Sequence, residues 1–361
     1  MHNRRTFIKK AGILTVIGVM PSCNFIIPAK KKKLGVALVG LGYYSSGLLA
    51  PALQLTKHCE LKGIVTGSPK KIPIWQQKYG IADKNVYNYT NMHEIANNDD
   101  IDIVYIVLPN GLHKKYTIIG ANAGKHIWCE KPMAMNVNEC RQMIDSCSKN
   151  KVQLTIGYRM QHEPVTQQII KWRTTKPYGE IESLYAEAGF YSNPRDLTNW
   201  RLHKELGGGA MFDMGVYTLN AARYVTGLEP ISVVAKQYSE RDSIFIADET
   251  TEYNLTFSNN ITATCKTTFG ANINTLKVNC AKGGYQLSPM QSYSGVRGTT
   301  SDGKILSPFQ GNQQSKQMDD DALAILRQSA PIVPGEEGLK DIKVVDAIFK
   351  SANNNSQRIS L

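Results

Sequence analysis

The sequence predicts an α/β protein in which a doubly wound parallel sheet is followed by a second, strand-rich domain. Three observations lead there. The chain has 361 residues, and at roughly 100–200 residues per domain that length suggests two domains rather than one or four. From residue 34, short β-branched runs alternate with helical stretches, the signature of a parallel sheet covered on both faces. Near residue 158 this rhythm gives way to longer alternating runs with an Asn259-Asn260 turn, which suggests an antiparallel hairpin. The expected division is a leader and linker over 1–33, a first domain over 34–157 and a second over 158–361.

The leader comes first. The net charge is +12, from 42 Lys+Arg against 30 Asp+Glu, a balance that by itself suggests a nucleic-acid or anionic-membrane partner. Arg4, Arg5, Lys9, Lys10 and Lys30 to Lys33 supply eight of these charges, with no acid among them, so 12 less 8 leaves +4 on the remaining 328 residues. No nucleic-acid partner is expected. A basic start, the apolar run Ala11 to Met20 and small or polar residues around Ser22 have the layout of an export signal, too short to span a bilayer permanently. Asn3-Arg4-Arg5-Thr6-Phe7-Ile8-Lys9-Lys10 resembles a twin-arginine signal, an address read by the export machinery; a basic amphipathic arm is the competing reading. Met20-Pro21-Ser22-Cys23 also resembles a lipoprotein cleavage box, which makes Cys23 a candidate lipid anchor. The expected location is exported and periplasmic. Of the seven cysteines none forms a C-x-x-C pair, and the six beyond the leader sit in apolar or mixed surroundings, so neither a disulfide framework nor a metal site is expected.

The elements follow in order. Residues 34–39 form a continuous apolar run fit for a strand buried on both faces, and 61–65, 103–108, 126–129 and 153–157 read the same way. Helical candidates lie between them at about 47–56, 69–79, 114–123 and 137–149. Beyond residue 158, strands are expected at 181–190, 231–238, 251–257, 261–268 and 275–281. Helices are expected at about 208–226, 315–328 and 336–352, and an irregular loop from Tyr293 to Gln317.

The residues with chemistry cluster at the ends of these strands. Gly40-Leu41-Gly42-Tyr43-Tyr44-Ser45 follows the first strand and opens the first helix. In that context the first Gly makes a tight turn, the second admits a pyrophosphate, and the helix N-terminus faces the phosphates. Ser45 replaces the third Gly, so a plain strand-to-helix turn is the competing reading. The second strand ends in Val65-Thr66-Gly67-Ser68-Pro69-Lys70-Lys71, where an NAD site places an acid for the ribose 2′-hydroxyl. Hydroxyls and lysines there suit a 2′-phosphate, and so NADP in preference to NAD. Glu60, at that strand's beginning, reads as a solvated charge. Pro109-Asn110-Gly111-Leu112-His113 and Glu130-Lys131-Pro132 also lie where an open parallel sheet places its ligand. Lys131 is expected to be partly buried, which suits proton transfer; an ion pair with Glu130 is the alternative. In the second half, Trp200-Arg201 precedes Gly207-Gly208-Gly209 and then Asp213 and Tyr217, four apart and so on one helix face. A carboxylate beside a phenol makes a proton-transfer set for a hydroxyl, while a surface hydrogen bond is the bland reading. The glycines point to a close backbone approach.

The ordered set Gly40-Leu41-Gly42, Pro109-Asn110-x-x-His113, Glu130-Lys131-Pro132, Gly157-Tyr158-Arg159 and Asp213-x-Gly215-x-Tyr217 resembles the Gfo/Idh/MocA oxidoreductase family, above all its glucose-fructose oxidoreductase branch. The match runs from about residue 34 to the C-terminus. It implies an N-terminal Rossmann domain and a C-terminal α/β domain with an open, mainly antiparallel sheet that supports a sugar pocket and often a subunit interface, hence a homo-oligomer. It implies that Lys131 contacts cofactor and substrate, that Tyr217 is the catalytic acid/base with Asp213 as partner, and that Thr66, Gly67 and Lys71 meet the 2′-phosphate. Tyr89, Arg159, Trp200 and Arg201 fall on further cofactor or substrate contacts. With Gly40, Gly42, Tyr43, Ser68, Pro109, Asn110, His113 and Glu130 they complete the expected cofactor site. The implied activity is hydride transfer between a sugar hydroxyl carbon and NADP. Because free NADP is not expected outside the cytoplasm, an exported enzyme should hold its cofactor tightly and restore it with a second substrate. The alternatives are an NAD(P)-dependent glycosidase working by transient oxidation and elimination, and a non-catalytic sugar sensor.

Overall fold

The computed structural model describes residues 33–361. The leader expected over 1–33 lies outside them except for Lys33, as does Cys23. The first sheet contains β1 (Leu34–Val39), β2 (Cys59–Val65), β3 (Val86–Tyr87), β4 (Ile103–Ile106), β5 (His126–Cys129) and β6 (Leu154–Ile156). All its pairs are parallel, in the order β3-β2-β1-β4-β5-β6. Every residue of β1 is buried, as an unbroken apolar run in a doubly covered sheet requires. Helices α1 (Ala50–Leu53), α2 (Ile72–Tyr79), α3 (His113–Asn122) and α4 (Val137–Lys149) lie among the crossovers. The chain runs outward from β1 to β3, returns to the centre and runs outward again from β4 to β6. That reversal opens a crevice beyond the carboxyl ends of β1 and β4.

The second sheet has nine strands: β7 (Ile181–Gly189), β8 (Ser232–Tyr238), β9 (Thr250–Thr256), β10 (Thr262–Thr268), β11 (Ile273–Cys280), β12 (Gly283–Leu287), β13 (Gly298–Thr300), β14 (Ile305–Leu306) and β15 (Ile359–Ser360). Their order is β14-β13-β12-β11-β7-β10-β9-β8-β15, antiparallel except between β7 and β10. Buried Ala186, Ala188, Ala263, Cys265 and Leu255 alternate with outward-facing Tyr185, Glu187, Thr264, Lys266 and Asn254, so one face is covered and the other is polar. The helices of this half are α5 (Pro164–Thr175), α6 (Val216–Thr226), α7 (Gln313–Arg327) and α8 (Gly335–Asn353). Helix α7 returns to the first sheet, where Met318 and Ala322 join Val36, Leu38, Ile64, Tyr105 and Trp128 in one apolar cluster.

The Asn259-Asn260 turn forms as expected, with both residues at positive φ. Several features depart from the sequence reading, among them the short strands β3, β12 and β15, which are not among the expected elements. The stretch from Tyr293 to Gln317 is not irregular throughout, because it contains β13, β14 and the start of α7. These edge strands are held by main-chain pairing, Leu287 to Gly298 and Thr299 to Ile305, so their polar side chains carry no strand pattern. Helix α5 is also unannounced, since Val165, Thr166 and Ile169 alone are buried on it. It is started by the Glu163 carboxylate, which accepts from the Thr166 amide at 2.7 Å. The six cysteines of the described residues are free and buried. Burial pushes the Cys59, Cys140, Cys147 and Cys265 thiols up to about 12, which leaves them poor nucleophiles. No helix among the described residues is long and apolar enough to cross a membrane.

Candidate active site

A cavity of about 530 Å³ opens at the switch point of the first sheet and is walled on its other side by the second domain. Gly40 to Tyr44 line it after β1, Thr66, Gly67, Ser68 and Lys71 after β2, Tyr89 beyond β3, Val107 to Asn110 after β4, and Glu130 and Lys131 after β5. Trp200, Arg201, Asp213, Tyr217 and Tyr293 complete the wall. The structure thus brings together every site residue expected from the sequence except His113 and Arg159, which stand behind the wall.

The turn after β1 shows why its residues are needed. Gly40 has a φ of +92°, and a Cβ there would lie 2.4 Å from the Val107 carbonyl oxygen, so β1 and β4 approach too closely for any side chain. Gly42 lines the cavity, and a Cβ on it would meet no atom within 4 Å. That open space beside a helix start fits a pyrophosphate. Ser45, in place of a third glycine, is fully buried and donates to the Gly40 carbonyl at 2.5 Å, locking the turn. After β2, the Thr66 hydroxyl accepts from the Ser68 amide at 3.1 Å, and Lys71 donates to the Leu41 carbonyl at 2.6 Å, tying the two turns together. No acid lines this end of the cavity. Glu60 lies outside it, paired with Lys62 at 3.1 Å.

The β4 and β5 ends are braced by His113, whose ring nitrogens lie 2.8 Å from the Leu108 and Pro132 carbonyls. Burial holds its pKa down, so the neutral ring donates to one of the two. Glu130 accepts from Tyr105 at 2.6 Å, and burial pushes its carboxyl up. Lys131 turns instead to the second domain: its ammonium donates to the Asp213 carbonyl at 2.7 Å and lies 3.6 Å from the Asp213 carboxylate.

Asp213 sits on a wide π-helical turn, Met211–Gly215, that leads into α6. Its other carboxylate oxygen accepts from Arg201 at 2.7 Å, and Arg201 in turn lies over the Trp200 ring at 4.6 Å. Burial pushes the Asp213 carboxyl up, but Arg201 and Lys131 together outweigh it and hold the group below its ordinary 3.8. Tyr217 presents its ring to Lys131, 4.5 Å from the ammonium. The three glycines before this turn serve close approach within the chain itself: Cβ atoms on Gly207, Gly208 and Gly209 would meet Asn110, the Arg201 carbonyl and Asp248. Asp248 fastens the turn, accepting from the Met211 amide at 2.8 Å and the Thr251 hydroxyl at 2.7 Å.

Sequence reasoning misses Tyr44 and Tyr293, which line the cavity with ring centroids 5.7 Å apart. Tyr44 stood inside the glycine motif and was readable there. Tyr293 opens a polar stretch with no motif, and only the folded chain brings it over the site.

The sheet and the crevice at its switch point place the protein among the NAD(P)-binding Rossmann oxidoreductases. Residues 34–158 match an oxidoreductase family with an NAD-binding Rossmann fold, and 166–286 match a GFO/IDH/MocA C-terminal domain. The chain belongs to the Gfo/Idh/MocA oxidoreductase family. It superposes on the aldose-aldose oxidoreductase of Caulobacter crescentus, solved with glycerol, with a TM-score of 0.87 and 36% identity, covering 91% of this chain and all of that one. It is 26% identical to a D-xylose 1-dehydrogenase (NADP(+)) of Haloarcula marismortui over 335 residues, 89% of this chain and 91% of that protein. The WlbA dehydrogenase of Bordetella pertussis, solved with NADH and UDP-GlcNAcA, shares the fold at a TM-score of 0.77 and 21% identity, over 92% of this chain and 99% of that one.

Asp213→Asn leaves Lys131 and Arg201 without their shared carboxylate. It should lower stability at neutral pH by about 3 kcal/mol, the lower end for a broken buried pair because Arg201 is a third exposed; a denaturant melt with no loss would contradict it. The carboxylate's contribution is fully present above pH 3.8 and fades as pH falls through its depressed value. Asp248 runs the other way. Burial raises it from 3.8 to about 6, so the stability it contributes is complete below 3.8 and lost as pH rises through 6. Asp248→Asn should therefore flatten the fall in melting temperature between pH 4 and 6, leaving the slope of buried Asp321, also raised to about 6.

Proposed function

We propose that this protein is an NADP-dependent sugar oxidoreductase that holds its cofactor tightly, oxidising one sugar and reducing a second carbonyl compound in the same cavity. The observation that carries this reading is the division of that cavity. Its β2 end offers Thr66, Ser68 and Lys71 and no carboxylate, and its other end gathers Lys131, Asp213 and Tyr217. Hydroxyls and an ammonium suit a 2′-phosphate, which an acid at the same place would repel. The family relatives support the substrate class, since the two described above with the highest sequence identity act, by their names, on aldoses.

Gly40, Gly42 and Tyr43 would hold the pyrophosphate at the helix start, and Thr66, Gly67, Ser68 and Lys71 the 2′-phosphate, with Tyr89 alongside. Pro109, Asn110, Glu130, Lys131, Trp200 and Arg201 flank the remainder. When bound, the nicotinamide supplies the site that accepts or returns a hydride. Tyr217 takes the proton of the sugar hydroxyl while the carbon beneath it is oxidised, and returns a proton when the second carbonyl is reduced. Lys131 and Asp213 fix the direction from which the hydroxyl approaches. His113 acts behind them, through Pro132.

Denaturing the purified protein should release NADP or NADPH, and the intact protein should turn over an aldose with a ketose or aldose acceptor without added nucleotide. Protein that neither carries nor binds NADP, and turns over no sugar pair, would sink the proposal. Tyr217→Phe should keep the nucleotide and lose turnover by about 10²- to 10⁴-fold. Release of an aglycone from a model glycoside without net oxidation would identify a glycosidase instead. The leader belongs to the same reading, because an exported enzyme meets no NADP pool. Replacing Arg4 and Arg5 by lysine should leave the protein in the cytoplasm, as followed by cell fractionation, and unchanged export would show that the arginines are not the address.

A further inference from the structure

We infer that Arg159 is a positioning residue for Tyr217: its buried guanidinium is the counter-charge that steadies the phenol oxygen when it gives up its proton, and it ties that tyrosine to the loop carrying Tyr293. The inference rests on the reading of Tyr217 as acid/base.

Arg159 lies in the short turn after β6 and is 1% exposed. Its guanidinium donates to the Ser292 carbonyl at 2.5 Å and to the side-chain oxygens of Gln313 at 2.6 Å and Gln291 at 3.0 Å; Met160 sulfur stands at 3.0 Å. These acceptors are all neutral. Among the described residues no carboxylate lies within ion-pair distance of it, whereas buried Arg223 has three, Glu229, Glu337 and Asp341, and Arg241 has Glu249. A guanidinium cannot shed its proton, so a charge taken out of water here without a carboxylate needs another partner. Its Nε is buried with no acceptor.

The groups that face it are aromatic. The guanidinium carbon lies 5.6 Å from the Tyr217 ring centroid and 4.9 Å from that of Tyr293. A cation near a tyrosine ring is held weakly while the phenol is neutral and strongly once it is ionised. The surrounding charges leave that role open. Asp213 is matched by Arg201 and Lys131. Two further buried carboxyls lie nearby without an ion pair to Arg159: Glu130, which accepts from Tyr105, and Glu163, which accepts from the Thr166 amide, and burial pushes both toward the neutral form. Tyr44 and Tyr158 are phenols. Arg159 is therefore the cation beside Tyr217 that no carboxylate pairs, and the phenolate is the partner it gains when the proton leaves. The same guanidinium grips Gln291 and Ser292, so the loop that brings Tyr293 to the cavity is referenced to the acid/base group.

The experiment compares Arg159→Met and Arg159→Lys with the wild type in the pH profile of kcat/KM and in the tyrosinate ultraviolet titration, the latter as a difference from Tyr217→Phe in each background. Retained nucleotide is measured in every variant. Arg159→Met should move the limb that depends on the base upward by about one to two pH units, with a matching move in the tyrosinate difference. Arg159→Lys, which keeps the charge, should move it less. An unchanged limb and unchanged difference titration in Arg159→Met overturn the inference, as does a displacement in Arg159→Lys as large as that in Arg159→Met; should the methionine variant not fold, Arg159→Gln, equally uncharged, takes its place in both comparisons. A Tyr217→Phe protein with full turnover would instead overturn the reading beneath it.

Discussion

The carboxylate of Asp213 is where the two halves of the molecule meet, and much of the site is arranged to keep it charged. It is almost wholly out of water, a setting that favours protonation. Two cations reverse that preference, Arg201 at 2.7 Å and Lys131 at 3.6 Å, and they come from different domains. The pair is therefore an electrostatic weld as well as a chemical device. Lys131 can reach it because β5 ends beside β4, and because buried His113, seated between the Pro132 and Leu108 carbonyls and bonded to one of them, braces the loop. Asp213 can reach it because Asp248, Asn110 and three glycines let the second domain's chain pass within contact distance of the first.

Two turns at this junction are wound wider than an α-helix, Ser45–Leu49 and Met211–Gly215. Both begin helices whose first residues line the cavity. Such turns are uncommon and gather at functional sites, since an extra residue per turn re-aims side chains without ending the helix. In the first, Ser45 folds its hydroxyl back to Gly40. In the second, Asp213 and Tyr217 still reach one cavity although the regular four-residue spacing of an α-helix does not connect them.

What the sequence makes legible follows the physics of each signal. Strand β1 and helix α4 fall on the expected residues because a buried parallel strand and an amphipathic helix are local patterns. The glycine turn, the Thr66 to Lys71 segment and the Lys131 loop are legible because chemistry confines them to strand ends. Strands β13 and β14, at the edge of the second sheet, are held by main-chain pairing and are too short to carry a pattern. The positions of Arg159 and His113 behind the wall are invisible for a different reason. A motif shows that a charged or titratable group is required, but not whether it faces the ligand or the group that faces the ligand. Tyr293 is the converse case, a wall residue without a motif, placed by contacts with Arg159 that join residues more than a hundred positions apart.

The cavity's construction also bears on cofactor retention. Its walls come from both domains, so a ligand spanning it touches the β1 and β2 turns, the Lys131 loop and the Trp200-Arg201 turn at once. Lys71 already joins the first two through the Leu41 carbonyl, and Asp213 joins the last two through its ion pairs. Release of a long dinucleotide would then require contacts on several fixed segments to be lost together, without a single mobile flap to open. Such a construction is what the proposed cycle, with the cofactor restored in place, would require. The same bonds that set the charge of Asp213 are those that hold the second domain against the cavity, so in the proposed function retention and chemistry would draw on one arrangement of residues.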